Sequence, residues 1–220
     1  MAVLPHAQFI DISHDVRLNN ITEAAFMADQ IELAPEHQHI IVVQVGHTPV
    51  SVVYQNDHVL YILPNNGIIG MLGFQIQGEH AYLCRKEDEH KAAALYLNNG
   101  ISQLSKAGDK MEIRYSRQAN INGDIATVFC IHSDQHGNCY FNIKREQFEQ
   151  FVNDRKFSIR IQYIPGVEFK NLTESIRNSQ QGEAILKFSK SGYLKLQINQ
   201  GNARQLFRIK DDTKIIIELQ

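Results

Sequence analysis

The densest run of groups able to bind a ligand or move a proton is His132-Ser133-Asp134-Gln135-His136-Gly137-Asn138, an acid, two amides and two imidazoles on one turn between two strands. The same residues suit a turn, because Asp134 can accept from backbone N–H groups and Gly137 can take positive φ ahead of Asn138. Turn duty and ligand binding are compatible. His37-Gln38-His39 is the strongest local case for a metal, yet it has no carboxylate or cysteine partner at ligand spacing. A solvated loop and no metal are expected there. Ser51, Cys84 and Cys130 would be nucleophiles only beside a base, and no elbow motif surrounds any of them. Lys190-Ser191-Gly192-Tyr193 and Asn199-Gln200-Gly201-Asn202 lack the strand-then-helix setting of a phosphate loop and read as hairpin turns. Asp11, followed by Ser13-His14-Asp15, marks a polar strand end, where open α/β sheets place sites and where strand-end capping also uses such residues.

The elements that must position these groups follow two patterns. In the first half, Phe9 to Ile12 reads as a strand and Ile21 to Leu33 as a helix, with Thr22 as its N-cap and Ala24, Ala25 and Ala28 on a tightly packed face. Ile40 to Val45 is a near-continuous β-branched run of the kind buried on both faces in parallel sheets. Val50–Tyr54 and His58–Leu63 form a hairpin, Pro64-Asn65-Asn66-Gly67 a turn before a short element at Ile68, and His90 to Asn98 a helix stopped at Asn99-Gly100. The second half is strand after strand: Met111–Tyr115, Ile125–Ile131, Cys139–Ile143, Ser158–Tyr163, Ala184–Phe188, Tyr193–Ile198, Leu206–Ile209 and Ile215–Leu219, interrupted by a helix at Arg145–Val152. An α/β N-terminal domain over residues 1–110 and an all-β, barrel-like C-terminal domain over 111–220 are therefore expected, with the boundary region spanning 109 to 124.

Composition narrows the function. Twenty-two Lys+Arg against 24 Asp+Glu give a net charge of -2, so no global positive field exists for nucleic acid or an anionic membrane. The apolar runs fall far short of the ~20 residues of a spanning helix. Three cysteines at no zinc spacing argue for a reducing compartment, and the start Met1-Ala2-Val3-Leu4-Pro5-His6 lacks a signal-peptide pattern, so the expected location is the cytoplasm.

Taken in order, the motifs resemble those of the SAM hydroxide adenosyltransferases, adenosine-forming SAM hydrolases related to fluorinase and chlorinase. Phe9-Ile10-Asp11-Ile12-Ser13-His14-Asp15-Val16 with Asn20 to Phe26 resembles their "IVDITHDI...NIREAAF" segment, and Pro64-Asn65-Asn66-Gly67-Ile68-Ile69 resembles "PDNGLL". Ala92-Ala93-Ala94 through Asn99-Gly100 to Leu104 and Gly108 resembles "AAHLANG...LG", and Ile131 to Asn138 with Asn142-Ile143 resembles "HIDRFGNLITNI". Ser191-Gly192-Tyr193-Leu194 through Asn199-Gln200-Gly201-Asn202-Ala203 is similar to "SSGYLEIAVNQGNA". The resemblance implies a homotrimer with sites between the N-domain of one subunit and the C-domain of the next. Hydroxide there attacks C5′ of SAM and releases adenosine and methionine, with no metal and no cofactor beyond SAM as substrate. The sulfonium is already a good leaving group, so such a site mainly positions and desolvates the nucleophile.

Carried over by position, the resemblance implies that Asp134 meets the methionine ammonium, that Asn138 reads the adenine edge, and that the turn holding Gln200 offers backbone groups to adenine. The family serine falls on Lys190 before Gly192-Tyr193-Leu194, and a large ring that stacks on the nucleoside is replaced by Asn19. In the catalytic set the family acid falls on Gln44, its histidine falls on Arg85 with His90 close by, and its arginine falls near Val50 or Ser51. The chain starts where the helix after the family's first strand should end, so that strand and its ribose-holding "TDFG" acid are expected to be missing. Three functions follow: a SAM hydrolase with a rearranged site, a catalytically silent relative binding SAM, adenosine or another small molecule, and a structural or interaction protein on the same scaffold.

Overall fold

The structure is a computed structural model that describes residues 10, 16–17, 19–56, 58–72, 81–99, 104–113 and 118–220. The expected strand at Phe9 to Ile12 and the polar cluster of Asp11, Ser13, His14 and Asp15 lie outside the described residues, apart from the isolated Ile10.

Helix α1 (Ile21–Asp29) is capped by Asn20 rather than Thr22: the Asn20 side chain accepts from the Glu23 N–H at 3.1 Å and satisfies a donor that the helix start leaves free. Strands β1 (His39–Val42), β2 (Val50–Asn56), β3 (Val59–Pro64), β4 (Ala81–Arg85) and β5 (Asp109–Lys110) form a sheet in the order β1-β3-β2-β4-β5. Among the described strands β1 and β3 pair in parallel, and the β2–β3 hairpin and the β2–β4 and β4–β5 pairs are antiparallel. Alternation along β3 divides the core. Val59, Tyr61 and Leu63 pack under Ala24, Ala25 and Ala28 of α1, while Leu60 and Ile62 face Ala92 and Tyr96 of α2 (Glu89–Asn99). The small alanines let α1 approach the sheet closely. Strand β1 is not buried on both faces, since Val42 is 52% exposed. Met111 and Ile113 pack on the N-domain core and Ala119 on the barrel core.

The C-terminal half contains β6 (Asn120–Asn122), β7 (Ile125–Ser133), β8 (Cys139–Lys144), α3 (Arg145–Val152), β9 (Phe157–Ile161), β10 (Glu168–Phe169), β11 (Ala184–Phe188), β12 (Tyr193–Ile198), α4 (Ala203–Leu206) and β13 (Lys214–Leu219). Its strands run β10-β9-β13-β7-β8-β12-β11, all antiparallel, with β6 added to β7. Strand β7 bends the sheet on itself: its first half pairs β13, its second half pairs β8, and the register shifts between Cys130 and His132. The Thr173 N–H bonds to the Leu186 carbonyl at 2.8 Å beyond β10, drawing the two margins into a nearly closed barrel around Val128, Phe141, Leu196 and Ile217. Leu206 to Ile209 is not a strand. Asn202 caps α4 by accepting from the Gln205 N–H at 2.8 Å, and Arg208 turns to φ 49, burying Phe207 and Ile209 without a ladder. No described helix is long and apolar enough to cross a membrane.

Candidate functional site

Three groups of side chains bear on function, and the fold positions each for a separate reason. The first lies at the carboxyl edge of the N-terminal sheet. Because β1 and β3 run in parallel, the Gln44 loop after β1 and the Asn65-Asn66 turn after β3 emerge on the same edge. The antiparallel β2–β4 pair sets Arg85 opposite Val50 there, and His90 follows in the first turn of α2. Asn66 donates to the Val45 carbonyl at 2.8 Å, and a Cβ on Gly46 would lie 3.1 Å from the Asn66 amide and 3.5 Å from Asn19 Oδ1. Asn19 therefore belongs to this edge too. An open groove of about 660 Å³ is lined by Pro49, Val50, Arg85, Lys86 and Glu87. Gln44 and Arg85 are not in one cluster: three strand spacings separate β1 from β4, about 14 Å. Gln44, Arg85 and His90 are all exposed, and Arg85 pairs with Glu87 at 3.6 Å.

The second group is the pair of barrel turns. The Asp134 Oδ1 accepts from the His136 and Asn138 N–H groups, each at 3.0 Å, while Oδ2 accepts from the Asn138 amide at 2.8 Å and the Tyr140 hydroxyl at 3.2 Å. Burial works against the charge, but these bonds and nearby Lys195 hold the Asp134 carboxyl below its usual range. Gly137, at φ +73, lets the turn meet the next one: its carbonyl accepts from the Arg204 N–H at 2.9 Å, close beside Asn202. Gln200, at φ 55, is exposed on that second turn. Lys190 and Tyr193 lie at the other end of β12, five residue steps or about 17 Å away. Asp134, Asn138 and Gln200 thus share one end of the barrel, and Lys190 and Tyr193 do not join them.

The third group is the seam between the two bodies, and it was not legible as a site. Phe26 points from α1 away from its own sheet and stacks on His132 at 4.5 Å, with Tyr140 and Tyr193 around it. Asp29, with a side chain 5% exposed, pairs with Lys144 at 2.7 Å, and Lys144 in turn lies 4.9 Å over the Tyr193 ring. Burial, reinforced by Asp29, pushes the Tyr193 hydroxyl far up, so Tyr193 is neutral and built into the seam. Ser191 donates to Gln30 at 2.5 Å. Beside the seam, a cavity of about 490 Å³ joins Arg17, Asn19, Asn20, Thr22 and Met71 to Ile131 and Asp211 of the barrel. Arg17 bridges Glu23 at 3.1 Å and Asp211 at 3.3 Å. No local signal marks an ion pair between positions 194 residues apart.

His132 gives the seam a pH dependence. Burial lowers its pKa, although Glu23 at 3.6 Å favours the charged form. Below the ordinary value of 6.5 the unfolded chain takes up the proton first, so this contribution to stability is present above that pH and is lost as pH falls through it. The melting temperature is expected to drop between pH 7 and 5, and His132→Gln is expected to flatten that slope. An unchanged slope would remove His132 as its source.

No described group of three or more His, Cys, Asp or Glu residues is arranged to hold a metal. His39 Nε2 is engaged with the Ala34 carbonyl at 2.8 Å, and His37 stands 6.4 Å from His39, ring to ring.

An α/β body whose edge carries the polar residues, followed by a nearly closed antiparallel barrel, defines the class of two-domain α/β plus β-barrel proteins. Within that class, the model of the SAM hydroxide adenosyltransferase N-terminal domain matches residues 1–106 and that of the C-terminal domain matches 129–216. The chain belongs to the SAM hydroxide adenosyltransferase family. Solved structures share the fold. An uncharacterized conserved protein from Thermotoga maritima is 19% identical with a TM-score of 0.70, over 97% of this chain and 90% of its own. A conserved hypothetical protein from Thermus thermophilus is 18% identical with a TM-score of 0.68, over 96% of this chain and 86% of its own.

Proposed function

We propose that this protein binds SAM and slowly catalyses attack of water or hydroxide on C5′, releasing adenosine and methionine. The C5′–O bond forms as the C5′–S bond breaks, the bonding pair leaves with sulfur, and the water proton passes to solvent. Gln44 orients the attacking water, because an amide can hold water but cannot take its proton. Arg85 and His90 lie on the same edge, three strand spacings from Gln44, and add polar groups there without reaching that water. Asp134 receives the ammonium, Asn138 and the Gln200 turn receive adenine, and Asn19 borders the ligand, whereas Lys190, at the other end of β12, does not reach it. Membership of both domains in one SAM-directed family carries this reading. Family resemblance also suggests a site completed between copies, in a trimer. A second reading is binding without turnover. It is favoured by Gln44 standing where an acid is expected and by both Asp134 oxygens already accepting bonds from their own turn.

Incubation with SAM, followed by chromatography of adenosine and methionine, decides between them. Turnover is expected to be slow and to disappear in Asp134→Ala. A SAM-dependent rise in melting temperature without product would leave the binding reading alone standing. Neither product nor shift would reject both. Light scattering tests the shared site, since a monomer at micromolar concentration would exclude it.

A further inference from the structure

Strand register places four side chains in one row across the barrel face. Lys187 of β11 is directly opposite Lys195 of β12, Lys195 is opposite Tyr140 of β8, and Tyr140 is opposite His132 of β7. Directly paired residues share a face, with Cβ atoms about 4.5–5.5 Å apart. The His132 end is covered by Phe26, and both lysines are half-buried. Lys195 Nζ sits 5.2 Å over the Tyr140 ring. Neither lysine forms an ion pair with a described carboxylate, in contrast to Lys144 and Lys170 on the same barrel. Asp134 acts on Lys195 from a distance, and its oxygens are taken up by four hydrogen bonds of its own turn. Two ammonium groups and one carboxylate leave one positive charge on a half-buried row.

Like charges directly opposite each other destabilise a strand pair, and their cost grows as water is withdrawn. Burial lowers the Lys195 pKa, Asp134 opposes it, and Lys187 adds a smaller push in the same direction as burial. Nothing in the fold requires this arrangement, because a polar neutral residue at either position would pair across the strands without repulsion. We propose that Lys187 and Lys195 form an oxyanion-binding subsite that holds a carboxylate or phosphate group beside the Asp134 turn. A trigonal or tetrahedral oxyanion can accept from both ammonium groups at once, replacing mutual repulsion by two charge-assisted hydrogen bonds. The Tyr140 ring, whose hydroxyl donates to Asp134, lies beneath the Lys195 ammonium.

The test is thermal unfolding of the full chain in sodium phosphate against sodium chloride at equal ionic strength, which cancels general screening. Phosphate is expected to raise the melting temperature by a few degrees and to saturate. Lys187→Gln and Lys195→Gln are expected to melt as high as the parent or higher in chloride and to lose the phosphate increment. Lys156→Gln, an exposed lysine elsewhere, should keep it. Two further arms identify the source of the anion. A shift with 5′-AMP exceeding that with adenosine assigns a nucleotide phosphate. A shift with L-methionine exceeding that with L-methioninamide assigns an amino-acid carboxylate. No shift with phosphate, 5′-AMP or L-methionine, or a shift that both glutamine variants retain, overturns the subsite. None of these measurements uses SAM turnover, so failure here is separable from failure of the proposed reaction.

Discussion

Asp29→Ala is expected to lower stability by about 3 kcal/mol, near the lower end of the range for removing one member of a buried ion pair. For a chain of this length that corresponds to a fall in melting temperature of about 6–12 °C. The magnitude comes from what remains: Lys144 loses its partner at 2.7 Å in a seam closed over it by Tyr193 and Phe26. The Tyr193 hydroxyl loses its carboxylate as well. Lys144→Met alone should also destabilise, by leaving Asp29 buried and unpaired. The double variant Asp29→Ala with Lys144→Met should lose much less than the sum of the two, because no charge is then stranded. Additive losses in this cycle would show that the pair is not coupled and that the seam rests on apolar contacts alone.

Gly137→Ala is expected to cost about 2–3 kcal/mol, from two sources that a control separates. A left-handed backbone costs an L-residue about 1–2 kcal/mol, and Gly137 sits at φ +73. In addition, the new Cβ would lie 2.0 Å from Asn202 Oδ1, so the side chain that caps α4 must move. Gly166, at φ +80 with no atom within 4 Å of its virtual Cβ, carries the first cost without the second. Gly166→Ala should therefore destabilise less than Gly137→Ala. Only Gly137→Ala should also weaken ligand binding, since it separates the Asp134 turn from the Asn202 turn. Equal losses in the two variants would mean that the turns are not packed against each other.

Several elements are legible because their signals are local. Ala184–Phe188, Tyr193–Ile198 and the helix Arg145–Val152 fall where periodicity places them. The stretch Leu206 to Ile209 reads as a strand and is not one, since an apolar run that buries Phe207 and Ile209 looks the same to periodicity whether or not a strand ladder forms. The capping amide of Asn202 decides it. Strand β4 escapes the sequence reading although Ala81-Tyr82-Leu83-Cys84-Arg85 has strand composition. Among the site residues, Asp134 and Asn138 can be paired from their spacing, because a four-residue turn closes on itself. The place of Asn19 beside Gly46 and Asn66 cannot, because the carboxyl edge is assembled from loops far apart in the chain.

The sequence by itself determined the two-domain order, the family, and the residue types on the N-domain edge and in the barrel turns. Those properties are carried by short motifs and by period-2 and period-3.6 patterning, which depend only on near neighbours. Tertiary structure alone decided that Tyr193 and Lys144 enclose Asp29, that Arg17 reaches Asp211, and that Lys187 faces Lys195 in line with Tyr140. Register and helix docking bring those groups together. Each is set by the burial of whole faces rather than by any residue's own preference.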